Sequence, residues 1–97
     1  MKVLYRSNHL RRCNEEVSFA TRTWGPVTGR LYRRRVQAMM DATTFEDLFT
    51  LRALRLHPLH GDRAGFFAVD LGPQRRLVIS RSDDSIMVEE VSNHYDD

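Results

Sequence analysis

Apolar residues recur at helical spacing through the first half of this chain and at every second position through the rest. Lys2 to Tyr5 is a short strand candidate. Ser7 is placed to cap a helix running to about Thr23, with Leu10, Cys13, Val17, Ala20 and Trp24 along one face. Gly25-Pro26 breaks that pattern, and Pro26 suits the first position of a second helix, where a missing N–H costs nothing. The second helix carries Leu31, Tyr32, Val36, Met39 and Met40 and ends near Asp41; its methionine and aromatic stripe predicts core packing. Thr44 to Leu48 predicts a capped helical turn.

From Leu54 the period becomes two. Leu54 and Leu56 alternate with Arg55 and His57, and Phe67, Val69 and Leu71 alternate with Phe66, Ala68 and Asp70. Leu77 and Ile79 alternate with Arg76, Val78 and Ser80, and Ile86 and Val88 with Met87 and Glu89. Gly72-Pro73 and Ser82-Asp83-Asp84-Ser85 supply the turns. The expected fold is α+β. An N-terminal strand and two helices pack on one face of a twisted antiparallel sheet of about four strands, in a single domain spanning 1–97.

Composition narrows the class. No apolar run approaches membrane-spanning length, and Met1 to Arg12 lacks the apolar stretch of a signal peptide. The single cysteine, Cys13, excludes an internal disulfide framework and a cysteine zinc cage; between Leu10 and Val17 it reads as a buried thiol. A soluble cytoplasmic protein with no membrane partner is expected. Charge adds more. Fourteen of the fifteen basic residues are arginine, Lys2 being the exception. Residues 1 to 82 hold all fifteen against seven acids, a net of +8, while residues 83 to 97 hold six acids and no base. GC-rich coding alone raises arginine over lysine, so the clusters rather than the total point to a partner. Planar arginine forks suit phosphates and bases, so a nucleic acid or an acidic protein fits.

The candidate chemistry lies between Leu56 and Leu71, where His57, His60 and Arg63 sit in a proline- and glycine-punctuated loop between strand-like runs. There is no Gly-rich phosphate loop, no GxSxG elbow and no HExxH. His57 and His60 are three apart, but Pro58 between them denies helical geometry and Asp62 is the only close carboxylate, so neither a metal nor another cofactor is expected. What remains is basic: His57, His60, Arg63, Arg76 and His94-Tyr95. Arg76 is expected on the face opposite Leu77 and Ile79, and the strand Ile86 to Val91 is expected to deliver His94 and Tyr95 to one edge of the sheet. This set contains no strong nucleophile. It suits a reaction whose nucleophile is in the substrate, as when RNA is cleaved by its own 2′-hydroxyl. A base takes the hydroxyl proton, arginines stabilise the phosphorane, and an acid protonates the leaving 5′-oxygen. Two histidines can make both transfers near neutral pH.

The run from Leu56 to Gly65, followed by Phe67-Ala68-Val69-Asp70-Leu71, resembles the central signature of the HigB-type killer proteins of plasmid maintenance systems, within the RelE/ParE toxin superfamily. The resemblance continues through Gln74-Arg75-Arg76-Leu77 and ends at Val88-Glu89-Glu90-Val91-Ser92-Asn93-His94, beside a family ending Val-Glu-Ile-Val-Asp-Tyr-His. It is tight over 54 to 94 and loose over 1 to 45, and its Gly-Asp-Arg-x-Gly element is the specific part. It implies a RelE-like, microbial RNase-like fold and a type II toxin. Such a toxin cleaves mRNA in the ribosomal A site and is neutralised by a cognate helix-turn-helix antitoxin of HigA type. By position it implies catalytic roles for His57, His60, Arg76 and His94; Tyr95 is expected to join them from one residue further on, and Arg63, Arg75 and Arg55 are expected to contact RNA or phosphate. For Arg63 a structural role also stands, pairing with Asp62 or a backbone carbonyl.

The chain departs from the pattern at three places. Ser92-Asn93 replaces Asp-Tyr before His94, with Tyr95 one residue late; Arg75 replaces an aromatic residue; and His60 occupies a place often held by lysine. Two alternatives remain open on the same fold: a ParE-like DNA gyrase inhibitor, which needs no RNA-cleaving residues, and a catalytically weakened homologue acting through antitoxin binding and operator repression.

Overall fold

A computed structural model describes residues 1–93. The order is β1 (Lys2–Tyr5), α1 (Asn8–Glu15), α2 (Val17–Trp24), α3 (Pro26–Asp41), β2 (His57–Pro58), β3 (Phe67–Asp70), β4 (Arg75–Arg81) and β5 (Ser85–Asn93), with short helical turns at Phe45–Thr50, Arg52–Leu54 and Gly61–Arg63. Ser7 caps α1 by accepting from the Leu10 N–H, and Thr44 and Asp47 close a capping box on the first turn.

Two corrections concern the helices. The expected helix from Ser7 to Thr23 is two helices, because Glu16 is extended (φ −123°, ψ 108°) between them. Its carboxylate accepts both forks of Arg12 (3.0 and 3.2 Å) and its N–H caps the Arg12 carbonyl. The break swings α2 so that Ala20 is buried and Phe19 and Trp24 pack against the core, while Val17, expected inside, is 58% exposed. Gly29 eases the close approach: a Cβ there would lie 3.1 Å from the Ala20 carbonyl carbon, tight enough that α2 and α3 would have to shift apart by a few tenths of an ångström. On α3, Tyr32, Val36 and Met39 are buried, and Met40, expected among them, is exposed.

The sheet has five strands in the order β1-β5-β4-β3-β2, and it is mixed. The N-terminal strand pairs parallel to β5, with Val3 opposite Ile86, and the other pairs are antiparallel. Pairing with β5 gives four-residue β1 the backbone partners that a strand standing apart would lack. The main core lies between the helices and one sheet face, formed by Leu10, Cys13, Tyr32, Val36, Met39, Phe45, Leu48, Val69, Leu71, Leu77, Ile79, Ile86 and Val88. The Tyr32 hydroxyl, buried here, donates to the Leu10 carbonyl at 2.7 Å, and burial pushes its ionisation well up. Burial likewise raises the Cys13 thiol, which is an inert core group.

Three further departures shape the open face of the sheet. The alternation at Leu54–His57 is not a strand: Arg52–Leu54 is a helical turn, Arg55 is left-handed (φ 48°, ψ 42°), and β2 is only His57–Pro58. The left-handed turn at Arg55 breaks the extended run before His57, which confines β2 to two residues at the edge. In β5, Val78 pairs with Glu90 but Ile79 with Val88, so Glu89 is an extra residue in a bulge. Val88 and Val91, three apart, therefore both pack on the core. Finally, Ala68 and Val78, alternating positions expected to face solvent, are buried under Leu59 with Phe66 packed beside them. The loop between Pro58 and Phe67 folds back over the middle of that face, closed by Leu59 N–H to Phe66 O (2.9 Å) and Phe66 N–H to Arg63 O (3.0 Å).

Candidate active site

Strand register determines which polar side chains meet. His57 is opposite Ala68, and Asp70 is opposite Arg76, which is opposite Ser92. Arg76 alternates with Leu77, so it stands on the face away from the helices, in line with buried Val78. Because β2 begins only at His57, after left-handed Arg55, nothing pairs with β3 beyond Ala68, and with the Gly72-Pro73 turn following β3 the Asp70 end of that strand is left hollow. A cleft of about 300 Å³ opens there, lined by Arg55, His57, Ala68, Val69, Asp70, Gly72, Pro73, Arg75 and Arg76.

Each polar wall is held by its neighbours. Arg76 Nε donates to Ser92 Oγ at 3.2 Å. Asp70 Oδ2 accepts from the Gly72 N–H (3.3 Å) and from Arg35 Nη2 (3.4 Å), and Arg35 Nε donates to the Asp70 carbonyl (3.0 Å). Gly72 has φ +98°, which a side chain would strain, so the turn presenting Asp70 depends on glycine. Asp70, the only carboxylate lining the cleft among the described residues, is thereby bound to Arg35, a side chain from α3 that is 12% exposed. Arg55, Arg75 and Arg76 leave the cleft positive.

His57 Nδ1 lies 2.8 Å from the Arg55 carbonyl oxygen. A carbonyl only accepts, so Nδ1 carries the proton and Nε2 of the neutral ring is the basic nitrogen. Arg55 is the one non-glycine with positive φ among the described residues, and its carbonyl is the group that orients His57.

Of the residues expected at the site, Arg55, His57, Arg75 and Arg76 meet in the cleft. His60 does not line it; it is exposed at the start of the Gly61–Arg63 turn. Arg63 pairs with Glu90 of β5, not with Asp62, and so pins the loop across the open face. His94 and Tyr95 lie outside the described residues. Sequence reading passed over Asp70, Arg35 and Ser92 as site groups. Asp70 carried a usable signal, since Asp-x-Gly is the pattern of a side chain accepting from the N–H two residues on. Arg35, beside core residue Val36, carried none. Among the described residues no group of three His, Cys, Asp or Glu stands close enough to hold a metal ion, and no helix is long and apolar enough to cross a membrane.

No family model matches the sequence and no curated protein does. Solved structures match in fold along nearly the whole chain. A YoeB/ParE toxin from Agrobacterium tumefaciens is 16% identical with a TM-score of 0.59, over 98% of this chain and 100% of its own. The YoeB–YefM complex from Staphylococcus aureus matches at 12% identity and TM-score 0.64, over 98% of each chain. The DinJ–YafQ complex from E. coli matches at 18% identity and TM-score 0.53, over 96% of this chain and 92% of its own. The chain therefore has the RelE/YafQ-like α+β fold.

Proposed function

We propose that this chain is the toxin of a type II toxin–antitoxin pair, a HigB-type member of the RelE/ParE superfamily that cleaves mRNA on the ribosome. The observation that carries the proposal is the cleft itself. It joins three arginines and a histidine with a defined basic nitrogen, and among the described residues its lining holds no serine, threonine, cysteine or lysine nucleophile. Such a wall is matched to a substrate that brings its own nucleophile. His57 Nε2 takes the proton from the 2′-hydroxyl, whose oxygen attacks the adjacent phosphorus. Arg76, with Arg75 and Arg55, neutralises charge gathering on the phosphorane oxygens. The P–O5′ bond breaks, leaving a 2′,3′-cyclic phosphate and a 5′-hydroxyl once an acid protonates the leaving oxygen. We assign that acid to His94, the residue that follows Asn93, itself the register partner of Arg75. Tyr95 is proposed to assist it, and His60 to contact RNA from the rim.

The fold shared with a named toxin supports the class, and the Gly-Asp-Arg-x-Gly loop supports the HigB type. Two of the matching proteins, YoeB and YafQ, occur in complexes with a second protein. By extension a HigA-like helix-turn-helix antitoxin is the proposed partner here, and the cytoplasm the proposed place of action. The test is induction of the chain in growing cells with primer extension on translated mRNAs. New 5′ ends inside coding regions, abolished by His57→Ala or Arg76→Ala, are expected. Growth arrest with intact mRNA and inhibited gyrase supercoiling would assign the chain to the ParE-like class instead. Unaffected growth would leave only antitoxin binding and operator repression.

A further inference from the structure

A second basic surface lies on the helical layer, outside the cleft. Arg30, Arg33, Arg34 and Gln37 occupy positions i, i+3, i+4 and i+7 of α3, which puts them on one face with about 5–6 Å between Cβ atoms three or four apart. They border two adjoining hollows. One, of about 150 Å³, is lined by Val17, Thr21, Pro26, Gly29, Arg30 and Arg33. The other, of about 250 Å³, is lined by Asn14, Arg30, Arg33, Arg34 and Gln37. Arg30 and Arg33 belong to both, so the hollows form one groove, and no carboxylate lines it among the described residues. Three other arginines of the helical layer are matched: Arg11 with Glu15, Arg12 with Glu16, and Arg35 with Asp70. Arg33 Nε donates to the Asn14 carbonyl at 2.8 Å, which aims its fork along the groove. Among the described residues Arg30 and Arg34 have no ion pair. Three guanidinium groups kept together without a counter-charge repel one another unless an anion joins them.

The groove starts close to the cleft. Leu31 Cδ1 lies 3.8 Å from where a Gly72 Cβ would stand, and Arg35 binds Asp70, so α3 forms the back of the cleft's β3 wall. Arg30 and Arg34 each precede one of those contact residues by one position, a turn of 100° toward the outside of the same helix. A chain of phosphates leaving the cleft past Gly72-Pro73 thus runs round the sheet edge against which α3 packs through Leu31 and Arg35.

We propose that the α3 groove is an RNA-backbone subsite that binds the phosphates of the substrate strand where it leaves the cleft and takes no part in the proton transfers. The proposal rests on the reading of the cleft as an RNA site. Continuity with that cleft and the row of arginine forks favour RNA over an acidic protein segment. The exposed valines, Val17 and Val27, are single residues of the kind any surface carries.

The test is fluorescence anisotropy of the full chain with a labelled 20-nucleotide single-stranded RNA across a sodium chloride series, comparing wild type with Arg30→Gln/Arg34→Gln. Since neither side chain has an ion pair, the double variant is expected to melt as wild type does. Loss of two phosphate contacts is expected to weaken binding roughly 10- to 30-fold at about 0.1 M salt and to lower the log–log salt slope by about 1.4. Unchanged affinity and slope overturn the proposal, as does a wild-type chain that fails to bind the RNA. Equally, a double variant that keeps RNA affinity but loses binding to poly-L-glutamate reassigns the groove to an acidic protein and overturns it. The two readings separate cleanly. RNA binding that depends on Arg30 and Arg34 without mRNA cleavage removes the nuclease and keeps the groove, whereas cleavage with a wild-type-like double variant removes the groove alone.

Discussion

Arg55 holds a left-handed backbone (φ 48°, ψ 42°) that costs a non-glycine residue roughly 1–2 kcal/mol, and its carbonyl orients the His57 ring. The strain sits in the wall of the cleft, where it presents the Arg55 guanidinium and directs Nδ1 of His57 at once. The two contributions can be separated by substitution. Arg55→Gly removes the backbone strain and raises stability in urea unfolding by up to about 1 kcal/mol. Arg55→Val adds a β-branched side chain to the same conformation and lowers it. If glycine destabilises as much as valine does, the strain assigned to this position is absent. Single residues were legible in the sequence where their chemistry was local. The cleft gathers four of the expected candidates, His57, Arg55, Arg75 and Arg76, each of which stands next to a turn or at an alternating polar position; their roles there are the proposal. Asp70 and Arg35 were not legible, since their pairing joins residues 35 apart in sequence.

Between elements, the bulge in β5 has the clearest energetic consequence. It brings Glu89 to Arg6, at the end of β1, and to the hydroxyl of Ser80 on β4. Burial acts to raise the Glu89 carboxyl, but the bonds from Arg6 and Ser80 outweigh it and hold the carboxyl below its ordinary value of 4.5. A carboxyl depressed in the folded state stabilises the fold above its unfolded value, and that stabilisation is lost as pH falls through the folded one. Stability is therefore expected to decline on acidification below about pH 4.5. Glu89→Gln is expected to cost on the order of 1 kcal/mol at neutral pH and to flatten that decline, read by urea unfolding from pH 7 to pH 3. A variant that keeps the wild-type acid profile would show that Glu89 is not the source of the decline. Element boundaries were legible where a cap or a breaker marks them, as at Ser7, Pro26 and Thr44. The break at Glu16 was hidden, because apolar residues at 10, 13, 17 and 20 keep helical spacing straight through it. The β5 bulge was hidden too, since an inserted residue leaves the apolar pattern of Ile86 and Val88 intact and shifts only the positions beyond it. Leu54 and Leu56 alternate like a strand but reach the core from an irregular segment, a case in which period two reflects burial without pairing.

For the whole molecule, the helices close one sheet face and leave part of the other open, and arginines gather at the β3 end. The cleft at the β3 end and the α3 groove beside it gather arginines from 30 to 76, while Glu89 and Glu90 hold Arg6 and Arg63 in structural pairs. The loop from His57 to Gly65 thus divides in function. Its first residue enters the cleft, and its remainder covers Ala68 and Val78 and is tied to β5. That division was not legible, because the loop's two roles depend on which strand it crosses. The α+β class was, since it follows from the change of period along the chain. If the cleft cuts RNA through the substrate's own 2′-hydroxyl, the chemistry is written in the new 3′ ends. Programmed ribosomes incubated with the purified chain are predicted to yield mRNA fragments ending in a 2′,3′-cyclic phosphate or its hydrolysed 3′-phosphate, with none from His57→Ala. Fragments ending in a free 3′-hydroxyl, or intact mRNA at one toxin per ribosome, are incompatible with that reaction.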